Sequence, residues 1–212
     1  MTRILLVRHG ESTWNADGRW QGQADPPLTD RGRDQAVEAA ARVGTIDAVV
    51  TSDLERAAVT GQIIARLLGV DHLATEAGLR ERDAGPLSGL TRTEIHERWP
   101  GLLPDDPAGF VPDADGSPRW PDGWEPDADL WARLEVALVA IARAVPDGDV
   151  LAVTHGGVMY ALERHLGAAG RPRLSNLDAV SVEVGSDGRM SVGERVSLVD
   201  AAHTLAIEAD RI

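Results

Sequence analysis

The 212-residue chain carries 21 basic and 34 acidic groups, giving a net charge of −13, and every basic residue is arginine. That balance excludes an extended basic surface for nucleic acid or anionic membrane. The absence of cysteine excludes disulfides, thiolate nucleophiles and cysteine-ligated zinc.

In chain order, the apolar run Ile4 to Val7 predicts a strand over 3–7, followed at once by Arg8-His9-Gly10. An imidazole thus stands beside a fixed cation at a strand's exit. Thr29 reads as the N-cap of a helix reaching Val43, with Ala36, Val37, Ala40 and Val43 on one face. A strand over Ala48–Thr51 leads into Ser52-Asp53-Leu54-Glu55, which has the Ser-x-x-Glu form of a capping box and opens a helix from Asp53 to Leu68. Its apolar face is Leu54, Ala57, Ala58, Ile64 and Leu67, and Arg56 falls in its first turn. The stretch 100–127 is rich in Pro, Gly and Asp and has neither helical nor strand periodicity. Trp99, Trp120, Trp124 and Trp131 lie in or beside it, which predicts an ordered lid pinned by tryptophan. Beyond it come a helix over Ala128–Ala144 and a strand over Val150–Thr154 that ends in Thr154-His155-Gly156. A short helix over Val158–Leu166 follows, then strands at Val180–Val184 and Met190–Val196 joined by the Gly185-Ser186-Asp187-Gly188 turn as an antiparallel hairpin. Strands alternating with helices predict one α/β domain over 1–212, with a mostly parallel central sheet and helices on both faces.

Two strands that each deliver a His-Gly pair to their carboxyl ends would place both imidazoles in the crevice where open α/β sheets bind ligands. Arg56 would join them at a helix start, where free amide groups and the macrodipole favour an anion. Taken singly, each residue has a plainer reading: a histidine at a strand end is commonly a satisfied polar group, and a helical arginine a solvated charge. No His-x-x-x-His, Asp-x-Asp or carboxylate cluster stands next to the His-Gly motifs, so no metal is expected there. A chain without lysine has no P-loop in its usual form. The apolar run before His9 is too short for a signal-peptide core or a membrane span, which makes a cytoplasmic enzyme the expectation.

The set Leu5-Leu6-Val7-Arg8-His9-Gly10-Glu11-Ser12, Asn15, Gln21-Gly22, Leu28-Thr29-x-x-Gly32, Ser52-x-Leu54-x-Arg56-Ala57, Glu81 and Val153-Thr154-His155-Gly156 resembles the histidine phosphatase superfamily, the group that includes cofactor-dependent phosphoglycerate mutases and many small phosphatases. The resemblance runs from residue 3 to about 184 and is weakest in the lid. It implies a phosphoglycerate mutase-like three-layer sandwich and metal-independent phosphoryl transfer through a phosphohistidine, with no cofactor. By the same resemblance His9 is the nucleophile, and Arg8, Arg56 and His155 are the clamp on the transferred group. Glu81, within Leu79-Arg80-Glu81-Arg82, is the proton donor to the leaving group. Asn15, Gln21 and Gly22 line the phosphate pocket, with Gly10, Ser12 and Gly156 beside them.

Physical chemistry supports those roles independently. An imidazole attacks phosphorus only through an unprotonated nitrogen, and the neighbouring cations Arg8 and Arg56, joined by His155 if it is protonated, disfavour its protonation. The same cations offset charge on the equatorial oxygens. A bound dianion beside Glu81 favours its protonated form, so one carboxyl can serve as acid and then as base.

Departures from the resemblance favour hydrolysis over isomerisation. Asp83 and Ala84 follow Arg82 where mutases carry His and Tyr, Arg92 replaces a lysine, and Gln21 stands where mutases tend to have Thr. The lid sets Asp105, Asp106, Asp113, Asp115, Asp122, Glu125 and Asp127 against a lone Arg119, and would repel a polyanion unless those groups are ion-paired to the body. The reading is therefore a phosphomonoester hydrolase acting on a small metabolite. A phosphoglycerate mutase is the alternative, and a non-catalytic phospho-ligand module ranks behind both. The partners expected are a small phosphomonoester and, at most, a second copy as a homodimer; nucleic acid and membrane are not expected.

Overall fold

The strands form where apolar runs were read, with one short addition: β1 (Thr2–Arg8), β2 (Ala48–Thr51), β3 (Leu73–Thr75), β4 (Asp149–Thr154), β5 (Asp178–Val184) and β6 (Met190–Ser197). The computed structural model describes residues 1–70, 73–106, 109, 111 and 116–200. The six strands make one sheet in the order β3-β2-β4-β1-β5-β6. β3, β2, β4 and β1 run parallel, whereas β5 lies antiparallel on β1 and β6 antiparallel on β5. Because β4 inserts between β1 and β2, Arg8 pairs in register with Thr154. His9 and His155 are each the next residue, so they leave the carboxyl edge of the sheet side by side.

The helices are α1 (Thr13–Ala16), α2 (Asp30–Ala40), α3 (Glu55–Leu68), α4 (Arg92–Arg98), α5 (Asp127–Ala144) and α6 (Gly156–His165). Alternation along each strand divides its side chains between two cores. Ile4, Leu6, Val150, Ala152, Val180 and Val182 pack with Leu134, Leu138 and Ile141 of α5 and Val158, Met159 and Leu162 of α6. Val7, Leu151, Val153 and Ala179 face the other way, toward Ala36 and Ala39 of α2 and Ala57, Ile64 and Ala65 of α3. The sheet is thus covered on both faces, the three-layer α/β arrangement expected.

Three local expectations need correction. The helix starting at Thr29 stops at Ala40, short of Val43, and Val37 is 50% exposed, as is Leu67 at 55%. The reason is close packing through small residues: a Cβ on Gly61 would lie 2.3 Å from Thr51 Cγ2, so α3 rests on the sheet through that glycine and larger side chains move to the rim. The Ser52/Glu55 capping box does not form. α3 begins at Glu55 with Leu54 as N-cap, Ser52 Oγ accepts from Leu54 N at 3.3 Å, and the Glu55 amide donates to Asp25 Oδ1 at 2.8 Å. A remote carboxylate therefore caps the helix. Reciprocal capping boxes occur instead at Ser12/Asn15 on α1 and Thr91/Glu94 on α4.

A third apolar cluster supports the described part of the 100–127 segment. Leu87, Leu90, Ile95, Leu102 and Leu103 pack with Trp20, Trp99, Trp120 and Trp124. Trp120 and Trp124 stack at 3.9 Å between centroids and 9° between planes. Of the lid aspartates, Asp113 and Asp115 lie outside the described residues.

Candidate active site

His9 is buried, with 2% of its surface exposed, and its ring is fixed from both sides. Nδ1 lies 2.6 Å from the Gly10 carbonyl oxygen, and Nε2 lies 3.2 Å from Arg56 Nε. A carbonyl can only accept and a guanidinium can only donate, so the proton belongs on Nδ1 and the lone pair on Nε2. Burial, then the Arg56 and Arg8 cations, hold this imidazole well below its ordinary titration range. Nε2 is accordingly an unprotonated, nucleophilic nitrogen.

Arg56 has no exposed surface. Its Nη1 donates to the Ala24 carbonyl at 2.7 Å and Nη2 to the Gly22 carbonyl at 2.9 Å, while Nε faces His9. Burial pulls its pKa down to about 10, which leaves it charged at neutral pH. Arg8 is anchored by Nη1 on the Leu174 carbonyl at 2.7 Å. Its Nε is buried without a protein partner among the described residues, as are both ring nitrogens of His155. The two imidazoles stand 5.2 Å apart between centroids. Burial first, then the nearby Arg56, His9, Arg133 and Arg8, hold His155 well below its usual range, so it is neutral at neutral pH. Each buried polar group left unpaired costs about 1–3 kcal/mol, and these converge on one place where an anion would offset that cost.

Glu81 is held at the start of α6, next to His155 in the chain, through the Gly157 amide. Its Oε2 accepts from the Gly157 amide at 3.1 Å and its Oε1 from the Arg82 amide at 2.7 Å. A Cβ on Gly157 would lie 2.3 Å from Oε1, so only glycine there lets the carboxylate sit where it does. Arg133 of α5 holds the segment that carries Glu81, donating to the carbonyls of Gly78, Arg80 and Glu81 at 2.7–2.9 Å. Neither Gly157 nor Arg133 stood out in the sequence; the doubled glycine after His155 was the available sign of the first.

The other predicted residues are brought to the same edge, largely through hydrogen bonds to one another. Ser12 Oγ accepts from the Asn15 amide and donates to Gln21 Oε1 at 2.8 Å. Asn15 Oδ1 accepts from the Ser12 amide and from Asn176 Nδ2, and Asn176 also donates to the His9 carbonyl at 2.9 Å. Asn176 was not anticipated, because nothing before β5 suggests that its side chain reaches β1. Gly10 donates its amide to Thr60 Oγ1 at 3.1 Å and crosses Gly32 so closely that a Cβ on it would lie 2.3 Å from the Gly32 oxygen. Gly22 has φ +53°, and a Cβ there would meet Ala84 at 2.8 Å. Gly156 begins α6, where a Cβ would stand 3.7 Å from Arg8 Nε.

A family profile described as the histidine phosphatase superfamily (branch 1) matches residues 4–189. The chain belongs to that superfamily. A metal-independent phosphoserine phosphatase of Arabidopsis thaliana is 38% identical to this histidine phosphatase over 165 residues, which are 76% of this chain and 67% of the relative. A Citrobacter koseri protein named "Probable phosphoglycerate mutase GpmB" is 40% identical over 161 residues, 74% of this chain and 70% of the relative. Among solved structures, a mycobacterial glucosyl-3-phosphoglycerate phosphatase with bound VO3 superposes with a TM-score of 0.74 at 28% identity, covering 92% of this chain and 99% of that one.

In this histidine phosphatase an open cleft of about 810 Å³ adjoins Gly157. Trp120 and Trp124, and Tyr160 and Arg164 of α6, are among the residues that line it. Arg82 lies over the Trp124 ring at 5.3 Å. Four of the lid carboxylates are paired with side chains of the body. Asp105 pairs with Arg92, Asp106 with His96, Glu125 with Arg133, and Asp127 with Arg82, Arg164 and His165. For these four residues the expected repulsion of a polyanion does not arise, because each carboxylate has a cationic or imidazole partner. No helix among the described residues is long and apolar enough to cross a membrane.

Proposed function

We propose that this histidine phosphatase hydrolyses a small phosphomonoester through a phosphohistidine on His9, without a metal ion. One observation carries the reading: an unprotonated His9 Nε2 is surrounded by Arg8, Arg56 and His155, and the buried Arg8 Nε and both His155 ring nitrogens lack hydrogen-bond partners among the described residues. A phosphoryl group at that place would accept from the guanidinium groups and from the N–H of neutral His155. The Nε2 lone pair attacks phosphorus, the P–O bond to the leaving group breaks, and Glu81, protonated beside the dianion, gives its proton to the departing oxygen. Glu81, now a carboxylate, takes a proton from water. The resulting hydroxide attacks phosphorus, the N–P bond breaks, and inorganic phosphate leaves with Nε2 restored. The guanidinium groups meet the charge on the equatorial oxygens throughout. Among the described residues no three His, Asp or Glu side chains are grouped to hold a metal ion.

A second reading, phosphoglycerate isomerisation, is favoured by the 40% identical relative whose name is a mutase and by the paired state of the lid carboxylates. Incubation with phenyl phosphate, alkaline quenching and mass analysis of the His9 peptide test the hydrolase. Release of phosphate with a phosphoryl adduct on His9 is expected. Binding without release or adduct would mean a phospho-ligand module. Conversion of 3-phosphoglycerate to 2-phosphoglycerate in the presence of 2,3-bisphosphoglycerate, faster than hydrolysis, would establish the mutase.

A further inference from the structure

Glu163 of α6 is a carboxylate with 2% of its surface exposed, and the proposed chemistry does not use it. Two guanidinium groups hold it. Its Oε1 accepts from Arg171 Nη1 at 3.2 Å and from Arg195 Nε at 2.6 Å, and its Oε2 accepts from Arg195 Nη2. A buried ion cluster of this kind is weak evidence for stability, because apolar side chains of similar volume commonly serve a core as well. What it supplies is fixed geometry, since a planar fork and a carboxylate bond only in particular orientations. Both arginines also grip the backbone. Arg195 of β6 donates through Nη1 to the Pro172 carbonyl, and Arg171 Nη1 donates to the Gly193 carbonyl of β6 at 2.9 Å. Glu163 thereby fastens the start of the segment 171–177 to α6 and β6.

The other end of that segment is bonded to the end of β1. The Leu174 carbonyl accepts from Arg8 Nη1 at 2.7 Å, the Leu177 amide donates to the Arg8 carbonyl at 3.0 Å, and Asn176 donates to the His9 carbonyl. Between the two ends, the Leu174 amide donates to the Tyr160 hydroxyl oxygen at 2.8 Å, and Arg195 lies over the Tyr160 ring at 5.6 Å. Leu177 is buried with φ +59°, a left-handed conformation that a bulky side chain adopts only where its surroundings impose it. The path of the segment is therefore set by its partners. This bears directly on Arg8, whose Nη1 is taken by Leu174 while its buried Nε faces no protein partner among the described residues. Because the guanidinium is planar, the place of the Leu174 carbonyl fixes where Nε points.

We propose that Glu163 is a positioning residue for phosphoryl transfer, which through Arg171, Arg195 and the Leu174 carbonyl aims Arg8 at the transferred group. This rests on the reading of the His9 cradle as the phosphoryl site. The test is a double-mutant cycle on phenyl phosphate turnover in the native, Glu163→Gln, Arg8→Gln and doubly substituted proteins, joined by calorimetric titration with inorganic phosphate. Glu163→Gln should lower kcat/KM by about tenfold or more and weaken phosphate binding, with the number of binding sites per chain unchanged. The loss should be equal on phenyl phosphate and on an alkyl phosphate, since Arg8 meets the transferred group and not the leaving group. In the Arg8→Gln background the further loss should vanish, because the group that Glu163 aims is gone. Arg195→Lys keeps the charge and loses the fork that joins Glu163 to Pro172, so it should show a smaller loss of the same kind, and it takes the place of Glu163→Gln in the cycle if that protein does not fold.

Fully additive losses would overturn the assignment, as would fewer binding sites at unchanged phosphate affinity, the mark of a partly unfolded protein. A loss confined to the alkyl ester would also overturn it, by placing Glu163 with the proton donor. Each of these results leaves turnover by the native enzyme, and so the phosphatase reading, standing. If no phosphoester is turned over, that reading fails on its own, and the phosphate titrations decide the positioning role. Weaker binding at full site number in Glu163→Gln, with no further weakening in the Arg8→Gln background, supports it. Unchanged affinity overturns it, and a native protein that binds no phosphate overturns both.

Discussion

In the proposed mechanism His9 and Glu81 divide the chemistry between a nitrogen kept unprotonated and a carboxyl that must change state, and each should leave its own kinetic signature. Since burial and two guanidinium groups hold His9 far below its ordinary range, its attacking form is already present throughout neutral and mildly acidic pH. The pH profile of kcat/KM should therefore show no acid limb near the ordinary histidine value of about 6.5. A limb centred there would mean that His9 titrates as an exposed imidazole. Glu81→Gln should slow an alkyl phosphate by about a hundredfold or more and an aryl phosphate bearing a good leaving group much less, because the better leaving group needs less protonation. Gly157→Ala should reproduce that contrast in weaker form, since the added methyl would occupy the place of Glu81 Oε1. Equal losses on both esters in the two variants would remove Glu81 from the acid role.

At the scale of elements, legibility in the sequence depended on how locally each feature is determined. β1 and β4 were readable because strands buried on both faces are continuous apolar runs, and the His-Gly pairs mark where they end. β3 has three residues, too few for a period to show. The start of α3 was misread because its cap is Asp25, thirty residues away from Glu55, a partner that no local spacing reveals. The same limit hid Arg133 and Asn176, which act through carbonyls far along the chain. The Thr29-x-x-Gly32 pattern, by contrast, reports a local fact: Thr29 caps α2 through the Gly32 amide at 3.0 Å, and Gly32 crosses the chain at Glu11. A Cβ on Gly32 would lie 2.1 Å from the Glu11 carbonyl oxygen, and neither backbone can yield cheaply. Gly32→Ala should therefore cost about 3 kcal/mol in urea unfolding and displace His9 along with its neighbours. A variant as stable as the native protein would show that the β1–α2 junction is not the tight crossing described.

For the whole molecule, the site's electrostatics set how stability responds to acid. His9 and His155 are both buried and both held neutral in the folded state, with desolvation the largest cause for each. In the unfolded chain each would titrate near 6.5. Below that pH the unfolded state binds more protons than the folded one, so stability is lost as pH falls from about 6.5 toward the depressed folded values. Each such histidine contributes a slope of about 1.4 kcal/mol per pH unit, and the pair about twice that. The carboxylates held low by arginine, Asp53, Asp105 and Asp127 among them, add their own loss only below about pH 4. Between pH 6 and 5 the histidine pair should therefore dominate, and denaturant titrations across that interval should show the unfolding free energy falling with acid. His155→Asn should remove about half of the slope. A native slope near zero over that interval would mean that the two imidazoles take up protons in place, and the neutral nucleophile on which the proposed chemistry depends would be lost with it.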